Sequence, residues 1–405
     1  MTTEDKAEEI NKTEDPVEEK TVDKAEDTTG NQVEDGTEDK VEDGTEDKVE
    51  EKIEGKVEDY KSYVSRKYTA IFLGIVVTVV MFLVSISVGS VSIPIPDVIS
   101  TILGGPGGTS LVERVIWNIR IPQALTAIAA GAGLAVAGVA MQSVLRNPLA
   151  SPFTLGLSNA AAFGAAVGIL IFDAGLTGSN MMDAVVINNP YLTTGMAFIL
   201  SMLTTVIILA ITRIRGATPE TMVLAGVAIS SLFAAGLMAV QYFVDDTRLA
   251  SIVFWQFGDV ARASWSELGL ITLIVLICSI YIFYKRWDYN SIDAGEETAK
   301  GLGVNVDATR IMGMVAASLI SAILVSFLGI IGFVGLVCPH MMRRIVGDDH
   351  RFLIPASLVC GSLLLLVADT VARTIIAPHI LPVAVLTAFL GAPIFIYIII
   401  KGRRI

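Results

Sequence analysis

Residues 311–342 read IMGMVAASLISAILVSFLGIIGFVGLVCPHMM, a run of 32 residues without a single charge. As one helix it would extend about 48 Å, well beyond a hydrocarbon core of about 30 Å. Its second half is interrupted by Gly329, Gly332 and Gly335, so the run is predicted to form two short spans meeting near Gly329. Eight other charge-free runs surround it, at 68–96, 121–145, 147–172, 184–212, 221–244, 268–284, 352–368 and 374–400. With the long run split, the total is ten.

Parity gives an independent check on that number. Arg66 and Lys67 precede the first run, and Lys401, Arg403 and Arg404 follow the last. Positive flanks mark the cytoplasmic side, so both ends are expected inside, which requires an even count. Ten spans place Arg66, Lys67, Arg146, Arg213, Arg215, Lys285, Arg286, Lys300, Arg310, Arg343, Arg344, Arg351, Lys401, Arg403 and Arg404 inside. Only Arg114, Arg120, Arg248, Arg262 and Arg373 fall outside. The predicted fold is therefore all-α: a polytopic membrane protein of ten transmembrane helices with both termini cytoplasmic.

The composition agrees once it is divided. The 405-residue chain is 53% hydrophobic yet carries a net charge of −12. Residues 1–61 hold 24 Asp/Glu and 9 Lys/Arg, a net of −15, while residues 62–405 are net +3. Two domains follow: an acidic tail at 1–61 and an apolar, slightly basic body at 62–405. The tail repeats Val-Glu-Asp-Gly-Thr-Glu-Asp-Lys at 33–40 and 41–48, and a segment so poor in apolar residues is expected to be disordered. Val49, Ile53, Val57, Tyr60 and Val64 recur at helical spacing, so its last stretch is expected to form a short helix leading to the membrane. No apolar segment precedes residue 68, so the first span is expected to stay in the mature protein. A soluble globular enzyme is excluded for the body. Its three cysteines, Cys278, Cys338 and Cys360, all lie in apolar runs and make no disulfide framework.

Small residues crowd the second and third runs, from Gly131 to Ala140 and from Gly156 to Gly168. Lipid offers no hydrophobic drive between helices, so close backbone approach is what joins them, and small residues permit it. Ionisable groups within the runs are scarce. Asp369 and Arg373, four residues apart near the outer end of the ninth span, are placed to pair, which is thin support for a proton-coupled carrier. Residues 288–307 are polar and punctuated by Gly295, Gly301 and Gly303, a pattern suited to two short helices joined by a turn that docks on a cytoplasmic partner.

That segment, Gly295-Glu296-Glu297-Thr298-Ala299-Lys300-Gly301-Leu302-Gly303-Val304, resembles the coupling segment in permeases of ABC importers for iron-siderophores, haem and cobalamin. The same family is suggested by Arg120-Ile121-Pro122, the small-residue stretch from Gly131 to Gly138, Gln142 and the stretch from Arg146 to Pro152. Further matches are Gly332 to His340, Gly347-Asp348-Asp349-His350-Arg351, Ala368 to Arg373, Leu381-Pro382-Val383 and Gly391-Ala392-Pro393-Ile394-Phe395. The resemblance covers about residues 66–405 in order.

It implies a permease that pairs with a second permease copy, identical or different, around a central pore in the plasma membrane lipid. Two ATP-binding subunits use ATP and Mg at the cytoplasmic side, and a substrate-binding protein docks outside. This chain would bind no cofactor, metal or nucleic acid and would not be an enzyme. By position, Gly295, Glu296, Glu297, Ala299, Gly301, Leu302 and Gly303 would contact the ATPase. Arg120 and Arg373 would receive acidic residues of the binding protein, and Thr218, Pro219, Glu220 and Thr221 would form the cytoplasmic gate. Gln123 stands where the family often has a second arginine, Ala384 departs from its usual glycine, and the acidic tail has no counterpart.

The expected cargo is an iron-siderophore, with cobalamin or haem as alternatives. The only Gly-Lys pair, Gly55-Lys56, lacks the phosphate-binding loop pattern, so ATP falls to a partner. An ion-coupled secondary transporter is the competing class. A membrane enzyme would need clustered catalytic groups, but His340, His350 and His379 fall at different depths or sides and no intramembrane protease motif occurs.

Overall fold

The computed structural model describes residues 43–89, 92–104, 110–171, 190–377 and 379–401. The chain divides into two compact units, Met1–Tyr60 and Lys61–Ile405. Among the described residues it is all-helical, with no strand and a lone bridge between Phe257 and Ile330. The helices are α1 (Asp43–Ser87), α2 (Ile95–Ile102), α3 (Ser110–Val115), α4 (Ile121–Val144), α5 (Leu157–Ile171), α6 (Pro190–Arg215), α7 (Pro219–Phe243) and α8 (Asp246–Gln256). They continue with α9 (Trp265–Tyr284), α10 (Arg286–Asp293), α11 (Glu296–Gly301), α12 (Val306–Leu328), α13 (Val334–Val346), α14 (His350–Thr374) and α15 (Val383–Lys401).

Among the described residues, seven helices are long and apolar enough to cross a membrane: α1, α3 running into α4, α6, α7, α9, α12 and α14. The other apolar runs lie on the shorter α5, α13 and α15. The helix expected over 49–64 is present, but α1 begins earlier, at Asp43, inside the second octapeptide. Residues 43–61, placed in the tail by their charge, lie on this helix. Residues 1–42, with the first octapeptide, lie outside the described residues.

The decisive run divides where its glycines stand. α12 ends at Leu328, and α13 starts at Val334 after a loop through Gly329. A Cβ on Gly329 would lie 2.7 Å from the Trp255 carbonyl oxygen, so the chain can pass only without one. The same loop between α8 and α9 holds the joint, since the Asp259 amide donates to Leu328 O at 2.8 Å. Arg262 fastens that loop by donating to the carbonyls of Phe254 (2.7 Å), Trp255 (3.0 Å) and Phe257 (2.6 Å), groups a helix end leaves unsatisfied.

The run at 147–172 is shorter as a helix than its lack of charge predicts. Pro148 and Pro152 interrupt it, and Ser151 and Thr154 cap one another across a short 3-10 turn. Only α5 remains, 15 residues or about 22 Å. At the other end of α4, a π-helical turn at Ile116–Arg120 continues the helix back to Ser110. Pro122 has no N–H to give the preceding turn, and the wider turn absorbs that defect.

α4 is the axis of the core. All but Leu125, Ile128 and Ala129 of its residues are buried, against α9, α12, α13 and α14. Its glycines are the reason the neighbours come so close. A Cβ on Gly131 would overlap the Gly361 carbonyl oxygen, and one on Gly138 would overlap that of Gly335. α7 and α9 instead leave large apolar side chains exposed, among them Leu224, Leu232, Met238, Leu273 and Ile277, as suits surfaces meant for lipid or another chain.

Candidate coupling site and arginine clusters

Residues 288–307 form the two-helix element expected of them. α10 ends at Asp293, and Gly295 turns the chain with φ +132°, where a side chain would be strained. α11 follows with Glu296 and Glu297 in its first turn, favourable at a helix N-terminus. Gly303, at φ +80°, releases the chain towards α12, whose N-cap Asn305 accepts from the Ala308 amide at 3.0 Å.

One side of this element is anchored. Tyr289, Ile292 and Ala299 are fully buried. The other side is open: Glu297, Thr298, Gly301 and Leu302 are exposed. Leu302 is an apolar side chain 69% accessible in an otherwise polar loop. Of the coupling residues expected from the sequence, Ala299 faces inward and the rest of the set surrounds this open side or its two turns.

A polar bed lies beneath α10, beside a groove of about 680 Å³ that includes Gln142, Arg146, Asp293, Arg343 and Asp348. His350 Nδ1 and the His350 amide both donate to Asn290 Oδ1, each at 2.8–2.9 Å. The Asn290 amide donates to Asp349 Oδ1 at 3.1 Å. With Nδ1 carrying the proton, His350 Nε2 accepts from the Ser143 hydroxyl at 2.8 Å. Burial works against the charge on Asp349, but hydrogen bonds from Arg351 and Asn290 hold its carboxyl down to about 2.

Asp293 stands in the opposite position. About 30% of its side chain is accessible, yet crowding by protein pushes its carboxyl up to about 6, against Arg343 and Ser143. A carboxyl whose folded pKa lies above its usual 3.8 holds its proton more tightly when folded. Stability therefore falls as pH rises from that value through about 6 and stays lower above it. Asp293→Asn, of the same shape but without the charge, is expected to raise the melting temperature at pH 7.5 and to raise it less at pH 5, inside that window. Thermal melts at the two pH values read the difference.

Thr218, Pro219, Glu220 and Thr221 begin α7. Thr218 is the N-cap, accepting from the Thr221 amide at 3.3 Å, and the two hydroxyls lie 3.0 Å apart. This turn joins α11 through a residue that counts in the sequence only as another inner cation. Arg310, on the first turns of α12, donates from Nη2 to Glu296 Oε2 at 3.0 Å and from Nη1 to Ala217 O at 3.3 Å. Its one visible signal is a charge set just inside an apolar helix rather than in a loop. The bond from Arg310 holds the Glu296 carboxyl below the usual glutamate range.

At the opposite end of α4 the two expected docking arginines are 5% and 9% exposed. Arg120 Nη1 donates to the carbonyls of Ile86 and Ser87, the latter at 3.0 Å. Arg373 Nη2 donates to Ser85 Oγ at 2.8 Å, and its Nε lies 3.0 Å from Asp369 Oδ2. Gln123 donates to the other Asp369 oxygen at 2.9 Å. Within this chain both arginines are engaged by its own groups. They close the last carbonyls of α1, which a helix end leaves without partners. The Asp369–Arg373 pair is present as spaced.

Residues 77–401 match the model of the FecCD transport family. An inferred ABC transporter permease protein of Methanocaldococcus jannaschii is 51% identical over 84% of this chain and 97% of its own length. The hemin transport system permease protein of Yersinia pestis is 34% identical, over 74% of this chain and 90% of its own. The vitamin B12 import system permease protein of Vibrio cholerae is 33% identical, over 73% and 85% respectively. Among solved structures, an inward-facing conformation of an inferred metal-chelate type ABC transporter superposes with a TM-score of 0.71 at 29% identity, covering 82% of this chain and 98% of that one.

Proposed function

The chain belongs to the FecCD transport family of ABC transporter permeases, and on that premise we propose that it is the permease subunit of an ATP-driven importer for a metal chelate. It crosses the plasma membrane ten times with both termini in the cytoplasm, the charge bias of its loops supporting that orientation. A second permease, identical or different, completes a pore between the two, and the exposed apolar faces of α7 and α9 offer the surface. Two ATP-binding subunits grip α10 and α11 and hydrolyse ATP with Mg. An outer substrate-binding protein delivers the cargo to the end of α4. There Arg120 and Arg373 contribute by fixing the shape of the α1 terminus rather than by projecting from it.

The observation that carries this reading is the α10–α11 element, anchored through Tyr289, Ile292 and Ala299 and open through Glu297, Gly301 and Leu302. A rigid polar projection with one exposed leucine is suited to a partner's groove. An iron-siderophore is the first choice of cargo, with cobalamin or haem next, since relatives of similar identity are named for hemin and vitamin B12. An ion-coupled secondary transporter is the alternative from a different class.

Co-expression with the ATP-binding subunits, followed by affinity purification and uptake into vesicles, tests the proposal. The expected result is a stable complex whose uptake of a labelled ferric siderophore requires ATP. Uptake of cyanocobalamin or haemin in its place reassigns the cargo. Uptake that persists without ATP, by a chain that holds no ATP-binding subunit, transfers it to the secondary carriers.

A further inference from the structure

Arg310 is buried where three segments meet: the first turns of α12, the start of α11 and the turn between α6 and α7. Only 1% of its side chain is accessible, and a guanidinium is seldom buried so completely without a reason in its partners. Its two arms reach acceptors on different segments, Glu296 Oε2 on α11 at 3.0 Å and Ala217 O before α7 at 3.3 Å. The planar fork of arginine can hold two such acceptors at once, where the compact ammonium of lysine is a single point.

Both ends of this bridge are themselves fixed. The second Glu296 oxygen lies 3.3 Å from Lys300 Nζ, so the carboxylate turns with α11 rather than swivelling on its own. Ala217 is buried and directly precedes Thr218, the residue that caps α7. The neighbouring Thr309 hydroxyl lies 3.4 Å from Asp288 Oδ2, linking the start of α12 to α10 as well.

We propose that Arg310 is the positioning residue that carries displacement of α11 to the first turn of α7. The proposal rests on the reading of α10 and α11 as the element gripped by the ATP-binding subunits. α11 and the α6–α7 turn then move as one body, with no loop between them to absorb the motion, and the turn at Ala217–Thr221 answers the nucleotide state.

The test uses the whole transporter, with its ATP-binding subunits, in hydrogen–deuterium exchange with and without ATP and vanadate. In the parent complex, exchange is expected to change on nucleotide binding in peptides covering both α11 and residues 213–224. In Arg310→Lys, which keeps a charge for Glu296, the α11 response is expected to persist and the 213–224 response to be lost. Arg310→Met is expected to lose it too. A merely structural role would instead raise nucleotide-free exchange at the turn and lower the melting temperature in both variants, so those two measurements are taken alongside. Retention of the 213–224 response in Arg310→Lys and Arg310→Met overturns the proposal, as does its absence from the parent. Both results leave the permease assignment standing. A parent chain that retains no ATP-binding subunit overturns the assignment and the proposal together.

Discussion

Gly138→Leu is expected to leave no folded transporter. Gly138 sits in the middle of α4, where any Cβ would overlap the carbonyl oxygen of Gly335 on α13. The approach is mutual: a Cβ on Gly335 would come within 2.7 Å of Leu134 O. Overpacking in a core usually costs about 1–3 kcal/mol because side chains rotate or shift to relieve it. Here the obstacle is backbone on both sides, so relief requires α4 and α13 to separate. α4 also packs against α9, α12 and α14, and moving it undoes those contacts as well. The loss is expected to exceed about 4 kcal/mol, in the exceptional class for a single substitution. Even Gly138→Ala should lower the melting temperature clearly. Gly269→Leu is the control, since nothing lies within 4 Å of a Cβ placed there. Yield of monodisperse protein after detergent extraction reads the effect. A Gly138→Leu protein that melts with the parent would mean α4 and α13 do not meet as described.

How much of this was legible in sequence depends on how local each feature is. The division of residues 311–342 could be read because its glycines mark the joint themselves, and the Asp369–Arg373 pair because four residues is one helical turn. The two-helix form of residues 288–307 was similarly visible from Gly295 and the polar stretch around it. The tight core was legible as a class: crowded small residues announce close packing, though not that Gly138 faces Gly335 across nearly 200 positions.

Features decided by distant partners were not legible. Arg120 and Arg373 look like outward-facing cations when charges are merely counted, and their burial is set by the end of α1, far earlier in the chain. Arg310 takes Ala217, 93 residues away, as an acceptor. The bed of Asn290, His350 and Ser143 likewise joins three separate segments. Counting charge also overestimates helix length, as at 147–172. Proline and capping end a helix there, and neither bears a charge.

The second large effect lies at the α10–α11 element, where position rather than stability is at stake. Gly301→Trp is expected to leave the fold intact and abolish retention of the ATP-binding subunits. Nothing lies within 4 Å of a Cβ at Gly301, so an indole there projects into open space beside the exposed Leu302 without touching the chain's own packing. Gly295 and Gly303 would be poorer probes, since both hold positive φ and a side chain would strain the turn itself. Exposed substitutions away from such features usually change stability by no more than about 0.5 kcal/mol, so the melting temperature should match the parent. A bulky group at the centre of a docking surface, by contrast, displaces the residues that carry the affinity. A loss of about 3 kcal/mol, roughly 100-fold in Kd, is the expected scale. Leu302→Asp should act in the same direction by placing a charge where an apolar side chain is presented. Binding of the purified ATP-binding subunit to immobilised permease measures both variants. If Gly301→Trp keeps the parent's affinity and ATP-driven uptake, α11 is an ordinary connector, and the subunits must grip the permease elsewhere.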